Sequence, residues 1–537
     1  PPPDPPSGAD MAAPDQDPSP EPDMGATPDP EDMGPGGEPD EGSPPEEMGA
    51  PTALLGTTCA EGSAPAAAAA APGRHDLDGF AVEVGEDGRL RVEALAEPGR
   101  TIFASAQDAP LLEASRTILE AEEHQGSFKI ETENLETCTQ PTLERVLTPQ
   151  GALVLQGGFS DAPTGCQNLR FEVQLCPAPE PGHLRFEVTT SNPNFDFLIW
   201  RPASSPDEHI FGLGQQLPHE TLDLNGRAIP LLSQEGGVGR GHPVISPAVN
   251  AASPGSAGNE STSYAPAPHF ITSQDRSLFL ENSEYVIFDF RQDDHDALRL
   301  FAPTMRGRIV HGRGPLELIE RFTAWAGRQP EPPLWVDEGA IVALARPLDE
   351  SLEIVDDLVA AGAQLSAVWN QTWSGTSETF IGEQVLWNWT LNEAQHPMWD
   401  SWRATLEGQD IRVLCYVNSM FRDISTIEDL PPQRRNLFAE ARDAGYLVGK
   451  PDADGPYMLE VTAFEVGLLD LTNLEARAWM KQVMTEELLD RAGCSGWMAD
   501  FAEALPFEAE LASGESAASY HNLYPVEWAA LNREVVE

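Results

Sequence analysis

One aspartate directly follows a short apolar run near the C-terminal end of the sequence. The run covers residues 496–499, Asp500 comes next, and Glu503 stands three residues later. A carboxylate at the end of a buried strand is held rigidly, and it can attack or stabilise an oxocarbenium-like carbon. Asp500 is therefore the candidate nucleophile. The structural alternative is a carboxylate that caps the next helix, and the pattern alone leaves both open.

Two other apolar runs also end in polar or aromatic residues. Residues 365–369 are followed by Asn-Gln-Thr-Trp-Ser-Gly, which includes Gln371, and residues 411–417 are followed by Asn418. In a βα barrel the reactive groups stand after the strands, at the carboxyl edge of the sheet. Aromatic rings stack on the apolar faces of sugars, although core packing accounts for about half of such residues. The tryptophans of this region are Trp369, Trp373, Trp387, Trp389, Trp399, Trp402 and Trp497.

The order of the apolar runs predicts the fold of residues 334–537. Runs at 339–345, 365–369, 411–417 and 496–499 alternate with helical patterns at 348–361, 398–406, 435–444 and 474–492. Buried strands that alternate with helices form parallel βαβ units. We expect a (β/α)₈ TIM barrel of which only about the first four strands are present.

Residues 74–333 have a different pattern. Short runs such as 80–84, 169–175, 184–188 and 285–290 alternate apolar with polar residues, with Gly, Pro and Asp between them. Period-two alternation indicates antiparallel strands with one face toward water. This part is expected to be an antiparallel β-sandwich, so the chain is multidomain.

Residues 1–73 have the composition of a disordered linker. The first fifty contain 15 prolines and 14 acidic residues, and no Lys or Arg precedes Arg74. Such a segment buries too little apolar surface to offset the entropy of ordering. An acidic, Pro- and Ala-rich leader is typical of an exported bacterial protein, extracellular, at the cell surface or periplasmic, with a lipid anchor upstream of Pro1 as one form. A plain linker between domains is the alternative.

Composition excludes several classes of partner. The net charge of −55 repels phosphate backbones, and no apolar run is long enough to span a membrane. His209, His219 and His242 lack the spacing of a metal site, so we expect neither a metal nor a cofactor. Cys138, Cys166 and Cys176 lie close together in the sequence, and either one disulfide or free buried thiols fits them.

Five ordered motifs resemble glycoside hydrolase family 31, specifically its sulfoquinovosidase-like branch. They are WNQTWSG at 369–375, VLWNW at 385–389, VLCYVN at 413–418, LDLTN at 469–473 and GWMADFAE at 496–503. The resemblance implies a galactose-mutarotase-like β-sandwich before the barrel, and it implies Asp500 as the nucleophile of a retaining α-glycosidase. The substrate-binding candidates are Gln371, Trp387, Trp369, Gln384, Glu503 and Gln216, the last from a loop of the sandwich.

Two features depart from the family pattern. The family's acid/base aspartate follows a later barrel strand, and no residue of this sequence matches it, so we expect a chain truncated before that residue. Where sulfonate-binding members have an Arg and a Gln, this sequence has Gln384 and Ala345. A neutral amide cannot replace the charge-assisted bonds of a guanidinium, so sulfonate recognition stays open, with Arg346 as a candidate substitute.

Two functions follow from these observations. The first is a retaining α-glycosidase that hydrolyses α-glucosides or α-sulfoquinovosides by double displacement, with a carbohydrate as its partner. The alternative is a non-catalytic carbohydrate-binding surface protein on a degenerate hydrolase scaffold.

Overall fold

The structure, a computed structural model, describes Cys59 and residues 68–149, 151–216, 221–237, 242–258, 261–428, 430–461 and 463–537. The predicted linker at 1–73 therefore lies mostly outside the described residues. Within it, Ala68–Ala70 forms a strand that pairs antiparallel with residues 146–148. Cys59 is joined by a disulfide to Cys176.

The N-terminal part of the described chain is built mainly from antiparallel strands. These are β1 Ala68–Ala70, β2 Gly73–Leu77, β3 Phe80–Val84, β4 Leu90–Ala94, β5 Thr101–Ala104, β6 Leu112–His124, β7 Ser127–Cys138, β8 Pro141–Thr148, β9 Leu153–Phe159, β10 Arg170–Pro177, β11 His183–Thr190, β12 Phe197–Trp200, β13 Ile210–Gln216, β14 Ala228–Leu231, β15 Ser263–Thr272, β16 Ser277–Leu280, β17 Val286–Asp289, β18 Ala297–Leu300 and β19 Thr304–Val310. The helices of this part are α1 Thr164–Asn168, α2 Ile245–Ala252 and α3 Pro315–Ala326.

These strands form the predicted β-sandwich. A nine-stranded sheet has the order β1-β8-β9-β10-β11-β19-β16-β15-β13, and a six-stranded sheet has the order β14-β17-β18-β12-β6-β7. Their facing side chains share one core, in which Phe186 of β11 and Trp200 of β12 lie 4.5 Å apart between ring centroids. Strands β2 to β5 form a smaller sheet that packs against the same core.

The C-terminal part alternates strands with helices. Its strands are β20 Ala340–Ala343, β21 Leu365–Trp369, β22 Thr376–Thr379, β23 Gly382–Val385, β24 Arg412–Asn418, β25 Met420–Phe421, β26 Met458–Val461, β27 Phe464–Leu468 and β28 Gly496–Asp500. Its helices are α4 Leu348–Ala360, α5 Trp399–Glu407, α6 Leu437–Ala444, α7 Leu474–Met484, α8 Ala517–Tyr520 and α9 Tyr524–Val536. The helix predicted over 474–492 is α-helical only to Met484 and continues as a π-helical segment at Thr485–Arg491.

Four of these strands form an open parallel sheet in the order β20-β21-β24-β28. The pairing confirms parallel βαβ units, and α4 and α5 connect successive strands as predicted. The two edge strands, β20 and β28, have solvent-exposed apolar side chains, since Ile341 and Met498 are each 44% exposed. That these are the first four strands of a barrel of eight stays a prediction. No helix in the described part of the chain is both long and apolar enough to cross a membrane.

All six cysteines are paired, which exceeds the single disulfide considered from the sequence. Cys138 bonds Cys166, whereas Cys176 bonds the distant Cys59. In the parallel sheet, Cys415 of β24 bonds Cys494, two residues before β28. No local pattern predicted this third bridge, because 79 residues separate its two cysteines and only the parallel pairing brings them together.

We predict that replacing both Cys138 and Cys166 with Ser lowers the free energy of unfolding by roughly 2–4 kcal/mol. The bridge constrains the unfolded chain by closing a loop of 28 residues. Urea denaturation followed by tryptophan fluorescence measures the change. Reduced wild-type protein is the control and must lose at least as much stability, because all three bridges open. An unchanged midpoint in the double variant would contradict the pairing.

Candidate active site

The pairing of β24 with β28 brings the predicted strand ends together. The two strands run parallel, with Asn418 level with Asp500 in the last paired position. Phe501 then turns the chain, with φ of 40° in the left-handed region that non-glycine residues rarely adopt. Asp500 does not cap a helix, because the next helix is α8 and its N-cap is Ser516. The capping alternative is therefore wrong.

A tyrosine on the neighbouring strand orients the Asp500 carboxylate. The Tyr416 hydroxyl donates a hydrogen bond of 2.7 Å to Asp500 Oδ2, and Asn418 Nδ2 lies 3.3 Å from the same hydroxyl. Tyr416 and Asn418 are two residues apart on β24, so both side chains project from one face. Burial and the Asp500 charge raise the pKa of Tyr416, which keeps the hydroxyl protonated as the donor.

Glu503 lies beside Asp500 and pairs with a carboxyl from the sandwich. Its side chain is hydrogen-bonded to that of Glu235, and its Oε2 accepts 2.6 Å from the Ala502 amide. Burial raises the pKa of Glu503 to about 7, with the Glu235 and Asp500 charges adding to the shift. Burial and the Asp500 charge also raise the pKa of Glu235. Two buried carboxyls in contact resist ionising together, so the pair retains a proton near neutral pH.

The sandwich places Glu235 through backbone contacts on both sides. The Glu235 amide donates 2.8 Å to the carbonyl of Gly126, at the tip of the β6–β7 hairpin, and the Ser127 hydroxyl donates to the Glu235 carbonyl. Two residues earlier, the carbonyl of Ser233 lies 2.6 Å from the ring of His521, whose other nitrogen is 2.6 Å from the Leu505 carbonyl. The sandwich and the parallel sheet are therefore joined within a few residues of the carboxyl pair.

A small cavity lies between the hairpin tip and this pair. Its lining includes Gly126, Glu235, Met420, Phe501 and Glu503. Its volume of about 20 Å³ is enough for roughly one water molecule, and the polar groups in its lining can form hydrogen bonds with that water.

An aromatic wall adjoins the carboxylates. Trp387 is 9% exposed, and its ring centroid lies 5.3 Å from that of Phe501 and 5.4 Å from that of Phe464. Other tryptophans of the region have packing roles. The indole N–H groups of Trp369 and Trp373 donate to backbone carbonyls of β24, at 2.9 and 2.8 Å respectively.

The parallel-sheet part matches a known family. Residues 332–537 fit the model described as "Glycosyl hydrolases family 31 TIM-barrel domain". These residues belong to glycosyl hydrolases family 31. The chain is 30% identical over 438 residues to a sulfoquinovosidase of Escherichia coli (strain K12), which covers 82% of this chain and 61% of that protein. It is 32% identical over 352 residues to a sulfoquinovosidase of Agrobacterium fabrum, with 65% of this chain and 51% of that protein covered.

Solved structures agree with the family assignment. A family 31 sulfoquinovosidase from E. rectale, in complex with the aza-sugar inhibitor IFGSQ, superposes with a TM-score of 0.75 at 25% identity. The match covers 85% of this chain and 64% of that one. A family 31 dextranase from Flavobacterium johnsoniae shares the fold alone, with a TM-score of 0.54 at 17% identity over 87% of this chain and 52% of that one. The chain thus spans about half to two thirds of the length of these relatives.

The family 31 candidates divide into those that meet at the site and those that do not. Asp500, Glu503 and Trp387 are brought together, the last through Phe501. Gln371 is partly exposed and makes no hydrogen bond within the described residues.

Of three further candidates, Gln384 and Arg346 make no contact with Asp500 within the described residues. Gln384 Nε2 donates to the neighbouring Glu383 carbonyl at 2.9 Å. Gln216 ends β13, and its side chain lies outside the described part of the chain. Arg346, the candidate substitute for a sulfonate-binding arginine, is exposed beyond β20.

Two residues of the candidate site were missed from the sequence. Tyr416 stands two positions before Asn418 on a predicted strand, so the period-two rule already placed both on one face. Glu235 had no local signal, because a residue of the sandwich reaches Glu503 only through the tertiary fold.

The Glu503 carboxyl should make stability depend on pH. Its pKa of about 7 in the fold exceeds its ordinary 4.5, so the folded state binds more protons between these values. The free energy of unfolding therefore falls as pH rises through this window and levels off above it. We predict that Glu503→Gln, which stays neutral throughout, flattens the profile of melting temperature between pH 5 and 8.

Glu508→Gln is the matched control. Glu508 accepts a 2.6 Å bond from Tyr457 in the same segment, and its loss removes an equal charge outside the pair. It should keep the wild-type slope. Identical pH profiles for wild type and Glu503→Gln would contradict the protonated pair.

Proposed function

We propose that this chain supplies the nucleophile of a retaining α-glycosidase that acts on α-linked sulfoquinovosides. The observation that carries the proposal is the position of Asp500, at the carboxyl end of β28 with Tyr416 donating to its carboxylate. Active sites of such barrels form at this edge of the sheet. The family 31 match and the two relatives named sulfoquinovosidase support the reaction and the substrate class.

The reaction proceeds by two displacements. Asp500 attacks the anomeric carbon and forms a glycosyl ester while the bond to the leaving oxygen breaks, and that oxygen takes a proton from a second carboxyl. Water then attacks the same carbon, loses its proton to the second carboxyl, and releases Asp500 with the anomeric configuration retained. The resemblance offers no match for the second carboxyl among these 537 residues.

The residues around Asp500 prepare it for attack. Tyr416 fixes the carboxylate by a bond to Oδ2, which leaves the other oxygen free of this donor. The proton held between Glu235 and Glu503 limits the negative charge next to the nucleophile. Trp387 and Phe501, whose ring planes are tilted by 44°, form an apolar wall, and aromatic faces of this kind stack on sugar rings.

Export from the cytoplasm forms part of the proposal. All six cysteines are in disulfides, which persist in oxidising compartments and are rare in the reducing cytosol. Together with the acidic leader, this favours a protein of the cell envelope or the exterior.

We predict that Asp500→Asn lowers kcat/KM of the full-length protein on 4-nitrophenyl α-sulfoquinovoside by more than about 10³-fold. The amide keeps the shape of the side chain but cannot form the glycosyl ester, and nucleophile removal acts on this scale. Release of 4-nitrophenol measures the rate.

Asp490→Asn is the control, since Asp490 is exposed on the π-helical segment and its change should leave the rate unaltered. Turnover that survives Asp500→Asn would refute the nucleophile. Sugar binding by wild type without any hydrolysis would instead favour the non-catalytic alternative.

A further inference from the structure

Arg422 is a half-buried cation that lacks an acidic partner. It directly follows β25, just past the carboxyl end of β24, and no carboxylate in the described residues forms an ion pair with it. Its Nη1 donates 2.8 Å to the Ser377 hydroxyl, and its guanidinium lies 4.2 Å from the centroid of the Phe464 ring. Burial without a counter-charge lowers its pKa.

Other arginines that follow β24 are already neutralised. Arg435 bonds Glu440 and also contacts Glu487, and Arg442 bonds Asp443 at 2.8 Å. Partial burial of a charge is costly unless an opposite charge compensates it. Arg422 thus has the donors and the unbalanced charge that an anionic ligand would satisfy.

The aromatic wall connects Arg422 with the nucleophile. The Arg422 amide donates 2.9 Å to the Trp387 carbonyl, and Phe464 packs against both the guanidinium and the Trp387 ring. Trp387 in turn contacts Phe501, the residue after Asp500. In a pyranose ring C5, which carries C6, is joined to C1 through the ring oxygen, so C1 and the C6 substituent lie on the same edge of the ring. A sugar placed on this wall with C1 at Asp500 and that edge along Trp387 and Phe464 would bring its C6 substituent toward Arg422.

We propose that Arg422 binds an anionic group at C6 of the sugar, which in a sulfoquinovoside is the sulfonate. The inference rests on the proposed function for the placement of C1 and adds the residue that selects the substrate. It also accounts for the neutral Gln384, which faces Ser377 across the β22–β23 hairpin. Arg422 supplies the charge from the position directly after β25, and its Ser377 contact ties the guanidinium to that hairpin.

The test compares the binding of sulfoquinovose and glucose, which differ at C6, by titration calorimetry on the full-length protein. Wild type should bind sulfoquinovose more tightly. Arg422→Gln should weaken sulfoquinovose binding roughly 10- to 100-fold, the range for charged hydrogen bonds, and change glucose binding less than about twofold. Arg422→Lys should recover part of the preference, because it restores the charge without the planar fork. Melting curves of both variants confirm that they fold.

Arg412→Gln is the matched control. Arg412 begins β24 at the opposite edge of the sheet, and its guanidinium also lies over an aromatic ring, 5.0 Å from the centroid of Trp335. Its loss should leave both affinities unchanged. Equal losses for both sugars in Arg422→Gln, or no preference in wild type, would overturn the inference. If the preference depends on Arg422 while Asp500→Asn keeps full turnover, the recognition stands and the proposed nucleophile falls.

Discussion

The hydrogen bond from Tyr416 to Asp500 is the contact on which the rest of the site depends. It exists because β24 and β28 pair in parallel, which sets Asn418 beside Asp500 and leaves Tyr416 within reach of the carboxylate. Parallel pairing requires crossover connections, and α6 and α7 lie in the segment that links the two strands. The Cys415–Cys494 disulfide ties the same two strands together near the start of β28. The disulfide and the backbone hydrogen bonds between β24 and β28 thus fix the position of the Asp500 carboxylate.

The second constraint is the electrostatic cost of burying several carboxyl groups next to each other. Asp500, Glu503 and Glu235 interact with each other, and the Tyr264 hydroxyl contacts the last of them. Retention of a proton by the Glu235–Glu503 pair reduces this cost. Because Glu235 belongs to the sandwich, the electrostatics of the site require both parts of the chain. The contacts of His521 with the carbonyls of Ser233 and Leu505 hold the segment that carries Glu235 next to the segment that carries Glu503.

Local pattern predicted much of the scaffold. The runs that end at Trp369 and Asp500 became β21 and β28, and the alternation before residue 333 became the sandwich. Asp500 was found because a strand end is a local feature. Glu235 and the Cys59–Cys176 bridge were not, since their partners lie far away in sequence and are chosen by packing. Arg422 was missed for a related reason, because the lack of an acidic partner becomes visible only when every neighbour is placed.

Direct trapping of the glycosyl-enzyme tests the central claim, that Asp500 is a nucleophile. A 5-fluoro-α-glycosyl fluoride of the sulfoquinovose series forms the ester quickly and slows its hydrolysis, so the labelled protein can be digested and its peptides sequenced by mass spectrometry. The account predicts one added sugar, located on Asp500 in the peptide that contains Gly496–Asp500. A label on Glu503 or another carboxyl, with Asp500 unmodified, would contradict it.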